Sequence, residues 1–295
     1  MKKYLKLLRV EQWVKNLFVF VPLFFSGNIT NLDLLSKSIF AFIIFSLAAS
    51  VVYILNDYND IEADRKHPEK RRRPLASGAV SKAKAVGILT ALIIIDVALV
   101  FLAHLYFQEP LWKFATIIGL YIAVNLAYTF KLKHVPIIDI FIIALGFVLR
   151  VLAGGYITEI GISQWAILLT FVLALVLAIG KRRGELINAQ VSGKTRKALD
   201  GYNVQFADIA LSISVTLAIV CYLMFTLSPE VQARFHERVF YTVIFVVFAF
   251  LRYLQQTLVY NRTESPTKIV YRDRYIQITL ILWVAAFLIQ IYFKK

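Results

Sequence analysis

The run S-I-F-A-F-I-I-F-S-L-A-A-S-V-V-Y-I-L, Ser38–Leu55, carries no charge and leads straight into N-D-Y-N-D-I-E-A-D, Asn56–Asp64. The first part is oily enough to cross a bilayer, although short of the ~20 residues that ~30 Å of hydrocarbon asks for. The second part is too acidic to enter one. Where the two meet, the chain leaves the membrane, and a cluster of carboxylates stands at the exit.

Working outward, eight more apolar runs follow or precede this one. The candidate spans are 17–33, 38–55, 84–106, 112–129, 135–153, 163–180, 206–227, 238–258 and 275–293. Pro22, Gly27 and Asn28 interrupt the first, which membrane helices tolerate when neighbours satisfy the freed backbone groups. The sequence therefore predicts an all-α polytopic membrane protein: a nine-transmembrane-helix bundle forming one integral membrane domain over 1–295, with its active-site loops on the cytoplasmic side. The residues after the basic N-terminal stretch offer no small-residue cleavage site, so a removed signal peptide is not expected. One cysteine, Cys221, excludes an intramolecular disulfide framework, and four scattered histidines do not make a metal cluster.

The composition is 59% hydrophobic and 17% charged, yet the formal net charge is +15. The excess is not evenly spread. Five Lys or Arg precede Leu17, eight lie over 56–84, two over 131–134, six over 181–205 and four over 259–274, so that 25 of 33 share one side of a nine-span topology. Six lie on the other side, and Arg150 and Arg252 fall inside spans. The positive-inside rule assigns the 25-charge side, with the N-terminus, to the cytoplasm and the C-terminus to the outside of a cytoplasmic (inner) membrane. A basic face on a membrane protein needs no nucleic acid to explain it, and a homo-oligomer is left open.

Topology alone does not call for the acids. Asp57, Asp60 and Asp64 are spaced i, i+3, i+7. On one continuous helix they fall within about 60° of each other at about 100° per residue. Asn56 lies at the edge of that face and Glu62 roughly opposite. Three facing carboxylates repel unless a cation lies among them. Oxygen ligands without thiols suit Mg²⁺, which is held by one or two carboxylates plus substrate phosphates. The basic tail R-K-H-P-E-K-R-R-R-P, Arg65–Pro74, follows at once. Its Arg and Lys suit the remaining phosphate oxygens. Acid for a metal and base for a phosphate point to a Mg²⁺–diphosphate substrate.

N-D-x-x-D-x-x-x-D at the end of the second span resembles the first motif of the UbiA-like intramembrane prenyltransferase superfamily. That family carries a second aspartate motif, roughly D-x-x-x-D, in the loop after the sixth helix. Here that loop is K-R-R-G-E-L-I-N-A-Q-V-S-G-K-T-R-K-A-L-D-G-Y, Lys181–Tyr202, with Glu185 and Asp200 far apart and Asp208 beyond it. It offers Lys181, Arg182, Arg183, Arg196 and Lys197 instead. One acidic and one basic site suit one Mg²⁺-diphosphate and one monophosphate. This pattern, with E-Q-W-V-K-N at Glu11–Asn16, L-K-H-V-P-I-I-D at Leu132–Asp139, G-F-V-L-R-V-L-A-G-G at Gly146–Gly155 and Y-R-D-R at Tyr271–Arg274, is similar to the decaprenyl-phosphate phosphoribosyltransferase branch. E-S-P-T-K at Glu264–Lys268 departs from the more acidic stretch expected there.

The resemblance implies a cell-wall-type glycosyl transfer from phosphoribosyl pyrophosphate to a polyprenyl phosphate lipid in the bilayer. It implies Mg²⁺ held by Asp57, Asp60 and Asp64 on the donor's pyrophosphate, with Asn56 bonding the same group. Lys15 and Asn16 are placed at the donor. Arg71, Arg72 and Arg73 are placed at its phosphates. Lys133, Lys181 and Arg182 are placed at the lipid phosphate. Tyr128 is read equally as a pocket residue or an interfacial tyrosine, and Arg150 equally as a structural ion-pair partner or a site residue. Asp96, in the third span, is expected to pair inside the bundle. The rival readings are a prenyl-diphosphate-dependent aromatic prenyltransferase, which needs a second diphosphate site, and a membrane transporter, whose polar chemistry belongs near mid-bilayer on repeats.

Overall fold

A computed structural model describes residues 2–192, 197–235, 237–261, 269 and 272–292. Among these every regular element is helical. Compactness divides the chain into two units, Met1–Lys133 with Leu149–Gly161, and His134–Val148 with Ile162–Lys295.

Seven helices are long and apolar enough to cross a membrane: Leu32–Asn59, Lys82–Phe107, Trp112–Phe130, Ile138–Thr158, Gln164–Ala189, Val204–Leu227 and Glu237–Val259. They coincide with the second to eighth expected spans. The ninth is present as a shorter apolar helix, Arg274–Gln290. The first is not one continuous α-helix. The chain instead forms a short helix α1 (Lys2–Leu8), a 3₁₀ segment over Val10–Phe20 and a single-turn helix α2 (Val21–Phe25). Pro22 sits in the first turn of α2, where its missing N–H costs nothing. Gly27 at φ 74° then turns the chain, a backbone conformation that only glycine enters freely. Among the described residues, the nine expected apolar stretches are thus seven long helices and two shorter ones.

In the first unit, α3 (Leu32–Asn59) is the central element. Asn31 caps it, its Oδ1 accepting from Asp33 N at 3.0 Å and Leu34 N at 3.2 Å. Leu7 of α1, Val51 and Ile54 of α3, and Leu75, Val80, Ala85 and Leu92 beyond it form one buried cluster. That cluster ties α4 (Ile61–Lys66), through Ile61, and α5 (Lys82–Phe107) to α3. α5 keeps Ile94, Val97, Phe101 and Leu105 exposed, as a lipid-facing helix does. Its Asp96 is buried, with Oδ1 lacking a hydrogen-bond partner among the described residues. The expected pairing of Asp96 is not observed.

α6 (Trp112–Phe130) and the later half of α7 (Ile138–Thr158) complete this unit. Within it Gly154 of α7 meets the 3₁₀ segment so closely that a Cβ there would lie 1.9 Å from the Val19 carbonyl oxygen. The obstacle is backbone, which cannot swing aside. Gly154→Ala is expected to destabilise the protein by about 1–3 kcal/mol through overpacking, read as a lowered melting temperature in detergent. An unchanged melting temperature refutes it.

The second unit is built on α8 (Gln164–Ser192) and α9 (Val204–Leu227), packed along each other. Ile140, Ala144, Val176, Ile179, Leu211 and Val215 lie in its core. Asp273 accepts from Ile276 N at 3.1 Å at the start of α10 (Arg274–Tyr292) and from Arg252 Nε at 2.9 Å. The arginine inside the eighth span thus has its counter-ion.

Candidate active site

α3 ends at Asn59, and Asp60, at φ −97° and ψ 9°, separates it from α4. The helix is distorted at the middle of the three aspartates, although Asp60 N still donates to the Asn56 carbonyl at 3.0 Å and Asp64 N to the Asp60 carbonyl at 2.8 Å. Asp57 and Asp64 turn inward, at 2% and 3% exposure. Arg73 Nη1 donates to both, to Asp57 Oδ1 at 3.1 Å and to Asp64 Oδ2 at 2.7 Å. Asp60 turns instead to Lys133, whose Nζ donates to its Oδ1. The expectation of one three-carboxylate face is corrected: two acids share a guanidinium and the third is paired elsewhere. Among the described residues no three acidic, His or Cys side chains converge as a metal-ligating group.

Arg73 is held where it is by its own loop. Leu75 and Val80 are buried in the unit's core, and Val80 N donates to the Pro74 carbonyl at 3.0 Å. Arg65 Nε donates to the Ala76 carbonyl at 3.2 Å and ties α4 to the same loop. Arg71 and Arg72 precede it on a 3₁₀ turn and are exposed. Asn56 and Tyr128 are half-buried, in the last turns of α3 and α6.

A residue missed by sequence reasoning completes the cluster. Arg9 donates through Nη2 to Asp57 Oδ1 and lies 5.0 Å over the Tyr53 ring. It caps the 3₁₀ segment in the left-handed region, at φ 50° and ψ 46°. No motif in L-L-R-V-E-Q-W singles it out from the other N-terminal bases. Only the kink in its backbone aims it at Asp57.

The donor atoms present suit Mg²⁺ in a narrower way than expected. Asp57 Oδ2 is buried and has no hydrogen-bond partner among the described residues. A desolvated carboxylate oxygen left in that state costs free energy, and a hard cation with an all-oxygen preference would relieve it. Asp57 and Asp64 are the two carboxylates that would hold it.

Asn16 does not face a donor site. At 1% exposure, its Nδ2 donates to Ser46 Oγ at 2.9 Å and its Oδ1 accepts from Arg150 Nε at 2.8 Å. Both ends of the amide, expected at the donor, are thus used within the protein. Arg150 also donates to Tyr121 Oη at 3.1 Å and lies 5.0 Å from the Phe45 and Tyr121 rings. Lys15, next to Asn16, is half-buried, and burial, then the Arg150 and Arg9 charges, lower the pKa of its ammonium to about 8.

In the second unit, Arg182 is 1% exposed. Its Nε donates to Asp139 Oδ2 at 2.7 Å and its Nη1 to Glu185 Oε2. Tyr202 Oη donates to the other Asp139 oxygen at 2.8 Å and accepts from Ile137 N at 2.7 Å. Burial, then the Asp139 carboxylate, push the Tyr202 phenol well above its ordinary range. Arg182, expected at the lipid phosphate, is thus paired with Asp139 and Glu185 inside its unit. Lys181 is the exposed neighbour, 3.9 Å from Glu185. Arg183 bonds Asp208 and the Thr257 carbonyl. Arg196, the side chain of Lys197 and Glu264–Lys268 lie outside the described residues.

This geometry can be set beside known proteins. Residues 17–281 match the UbiA prenyltransferase family. A decaprenyl-phosphate phosphoribosyltransferase of Mycolicibacterium smegmatis is 34% identical, over 98% of this chain and 92% of that protein. One of Corynebacterium glutamicum is also 34% identical, over 98% of this chain and 86% of its own length. Among solved structures, a UbiA homolog from Archaeoglobus fulgidus bound to DMAPP and Mg²⁺ superposes with a TM-score of 0.69 at 19% identity, covering 98% of this chain and 99% of that one. At that identity the likeness concerns the fold.

Proposed function

The chain belongs to the UbiA prenyltransferase family, and on that premise we propose that it is a polyprenyl-phosphate phosphoribosyltransferase. It transfers the 5-phosphoribosyl group of phosphoribosyl pyrophosphate to a polyprenyl monophosphate. The C1–oxygen bond to pyrophosphate breaks, a bond from a lipid phosphate oxygen to C1 forms, and pyrophosphate leaves. The observation that carries this reading is 34% identity over 98% of the chain with two phosphoribosyltransferases acting on a lipid phosphate.

The buried carboxylates of Asp57 and Asp64 would hold Mg²⁺ with the donor's pyrophosphate. When bound, the metal supplies neutralising charge to the leaving group. Arg71, Arg72 and Lys15 bind the donor's phosphates, and Asn56 and Tyr128 line the same mouth. Arg9 and Arg73 keep Asp57 and Asp64 neutralised and oriented. Lys133, buried and held by Asp60, keeps that carboxylate neutralised, and Lys181, exposed, draws the lipid phosphate. A phosphate monoester is already anionic near pH 7, so positioning and electrostatics provide most of the rate. The chain is one membrane domain of a cytoplasmic membrane, with its basic loops and N-terminus inside and its C-terminus outside.

The test is direct. Purified protein in detergent is incubated with labelled phosphoribosyl pyrophosphate, Mg²⁺ and polyprenyl phosphates of several chain lengths. Label is expected to become lipid-extractable, and chelation is expected to stop the transfer. Label staying in water, while geranylgeranyl diphosphate and an aromatic acid react, refutes the proposal in favour of aromatic prenyl transfer.

A further inference from the structure

The 3₁₀ segment Val10–Phe20 is eleven residues long, and such segments rarely exceed 3–4 residues. Something must hold it in that form. Its partner is α3, against which it runs antiparallel. Trp13 Nε1 donates to Ser50 Oγ at 3.1 Å, and Asn16 Nδ2 donates to Ser46 Oγ at 2.9 Å. The step is three residues on one element and four on the other. Three residues of 3₁₀ helix advance about 6 Å, and four residues of α-helix also advance about 6 Å. The two elements therefore stay in register only while the N-terminal segment is 3₁₀. In an α-helical segment the same three residues would advance only about 4.5 Å and turn Asn16 about 60° away from Trp13.

We propose that Arg150 is the positioning residue that sets this register, and that through Asn16 it holds Arg9 on Asp57. Its guanidinium grips the Asn16 carbonyl oxygen from the side opposite Ser46 and is itself fixed by Tyr121 and the ring of Phe45. The segment is thus pinned at Asn16, and at Val19 by the close approach of Gly154. Toward its start the same register brings Arg9 to Tyr53 and Asp57. Ser50 Oγ, 2.8 Å from the Leu8 carbonyl oxygen, fastens the turn just before Arg9. Arg150 has no contact with Asp57 in this chain of bonds. It acts at a distance, through one amide and one helical register.

The inference builds on the proposed reaction for its kinetic consequence, but its structural consequence can be read without any activity. In a Cys221→Ser background, Arg9→Cys and Asp57→Cys are bridged with a short bifunctional thiol reagent. Adding Arg150→Gln is expected to slow cross-linking at least several-fold, while adding Asn16→Asp, which still accepts from Arg150 and can accept from the Ser46 hydroxyl where Asn16 donates to it, leaves it near the starting rate. Equal rates with and without Arg150→Gln overturn the proposal, whether or not the protein transfers phosphoribose.

The kinetic arm uses the otherwise unaltered chain. Arg150→Gln is expected to lower donor kcat/KM by on the order of 100-fold, the scale of a misplacement near 1 Å, with the acceptor KM unchanged. In an Arg9→Gln background the same change is expected to cost less than about threefold, because the residue it acts through is already gone. Full additivity of the two losses refutes action through Arg9. Asn16→Asp is expected to keep donor KM within a fewfold. A large rise in donor KM there would mean that Asn16 faces the donor's phosphates, which also overturns the proposal.

Discussion

Asp57→Asn is expected to lower kcat/KM by on the order of 10³-fold, about 4 kcal/mol of transition-state stabilisation. Asp57 is the carboxylate with most to lose. It is 2% exposed, it collects both Arg9 and Arg73 on one oxygen, and its other oxygen has no partner among the described residues. An amide at this position offers a metal one neutral oxygen and presents N–H groups to two cations. Asp64→Asn is expected to follow closely, because Asp64 shares Arg73 with Asp57. Asp60→Asn is expected to cost only about tenfold, or about 1.4 kcal/mol. Its side chain is 24% exposed and bonds Lys133 rather than the shared guanidinium. Initial rates against Mg²⁺ concentration, with melting temperatures as a control for folding, separate the three. If Asp60→Asn matches Asp57→Asn, the three aspartates act as one ligand set and the division seen at the α3–α4 junction has no functional meaning.

That comparison marks where sequence reasoning succeeds and where it stops. The spacing of Asp57, Asp60 and Asp64 pointed to the candidate site, because carboxylates gathered on one helix face repel unless a cation lies among them. It could not show that the helix is distorted at Asp60, since N-D-Y-N-D-I-E-A-D contains no Gly or Pro to announce it. The seven long helices were legible as apolar runs. The first span was not, although Pro22 and Gly27 stood in plain view, because a 3₁₀ path is chosen by what it packs against. Period 3.0 sends Trp13, Asn16 and Val19 to one buried face, and no composition rule separates that from the period of an α-helix over so short a stretch. Arg9 stayed hidden for the same reason. In an N-terminal stretch with five bases, any one reads as topology, and only a left-handed backbone at that residue selects it.

Arg182 and Lys181 are adjacent, both basic and both in K-R-R-G-E, yet they are expected to fail in opposite ways. Arg182→Met removes the cation from between Asp139 and Glu185. Asp139, at 0% exposure, is then left with Tyr202 as its remaining side-chain partner among the described residues. Breaking a buried pair costs about 3–5 kcal/mol, which for a chain of this size is a fall in melting temperature of roughly 10 °C. The protein that stays folded is expected to keep its acceptor KM, because the guanidinium never reached the lipid. Adding Asp139→Leu removes the stranded charge, and the double variant is expected to recover most of the lost stability, as apolar replacements of buried pairs do. Glu185 needs no rescue, since its side chain is 30% exposed and can be hydrated. Lys181→Ala, with a side chain 56% exposed, is expected to leave the melting temperature unchanged and to raise the acceptor KM severalfold. If Arg182→Met instead weakens acceptor binding at full stability, the buried arginine opens toward the lipid during turnover and the assignment of its charge to Asp139 is wrong. If the double variant is no more stable than Arg182→Met alone, the cost lies in lost packing of the arginine stem rather than in the uncompensated carboxylate.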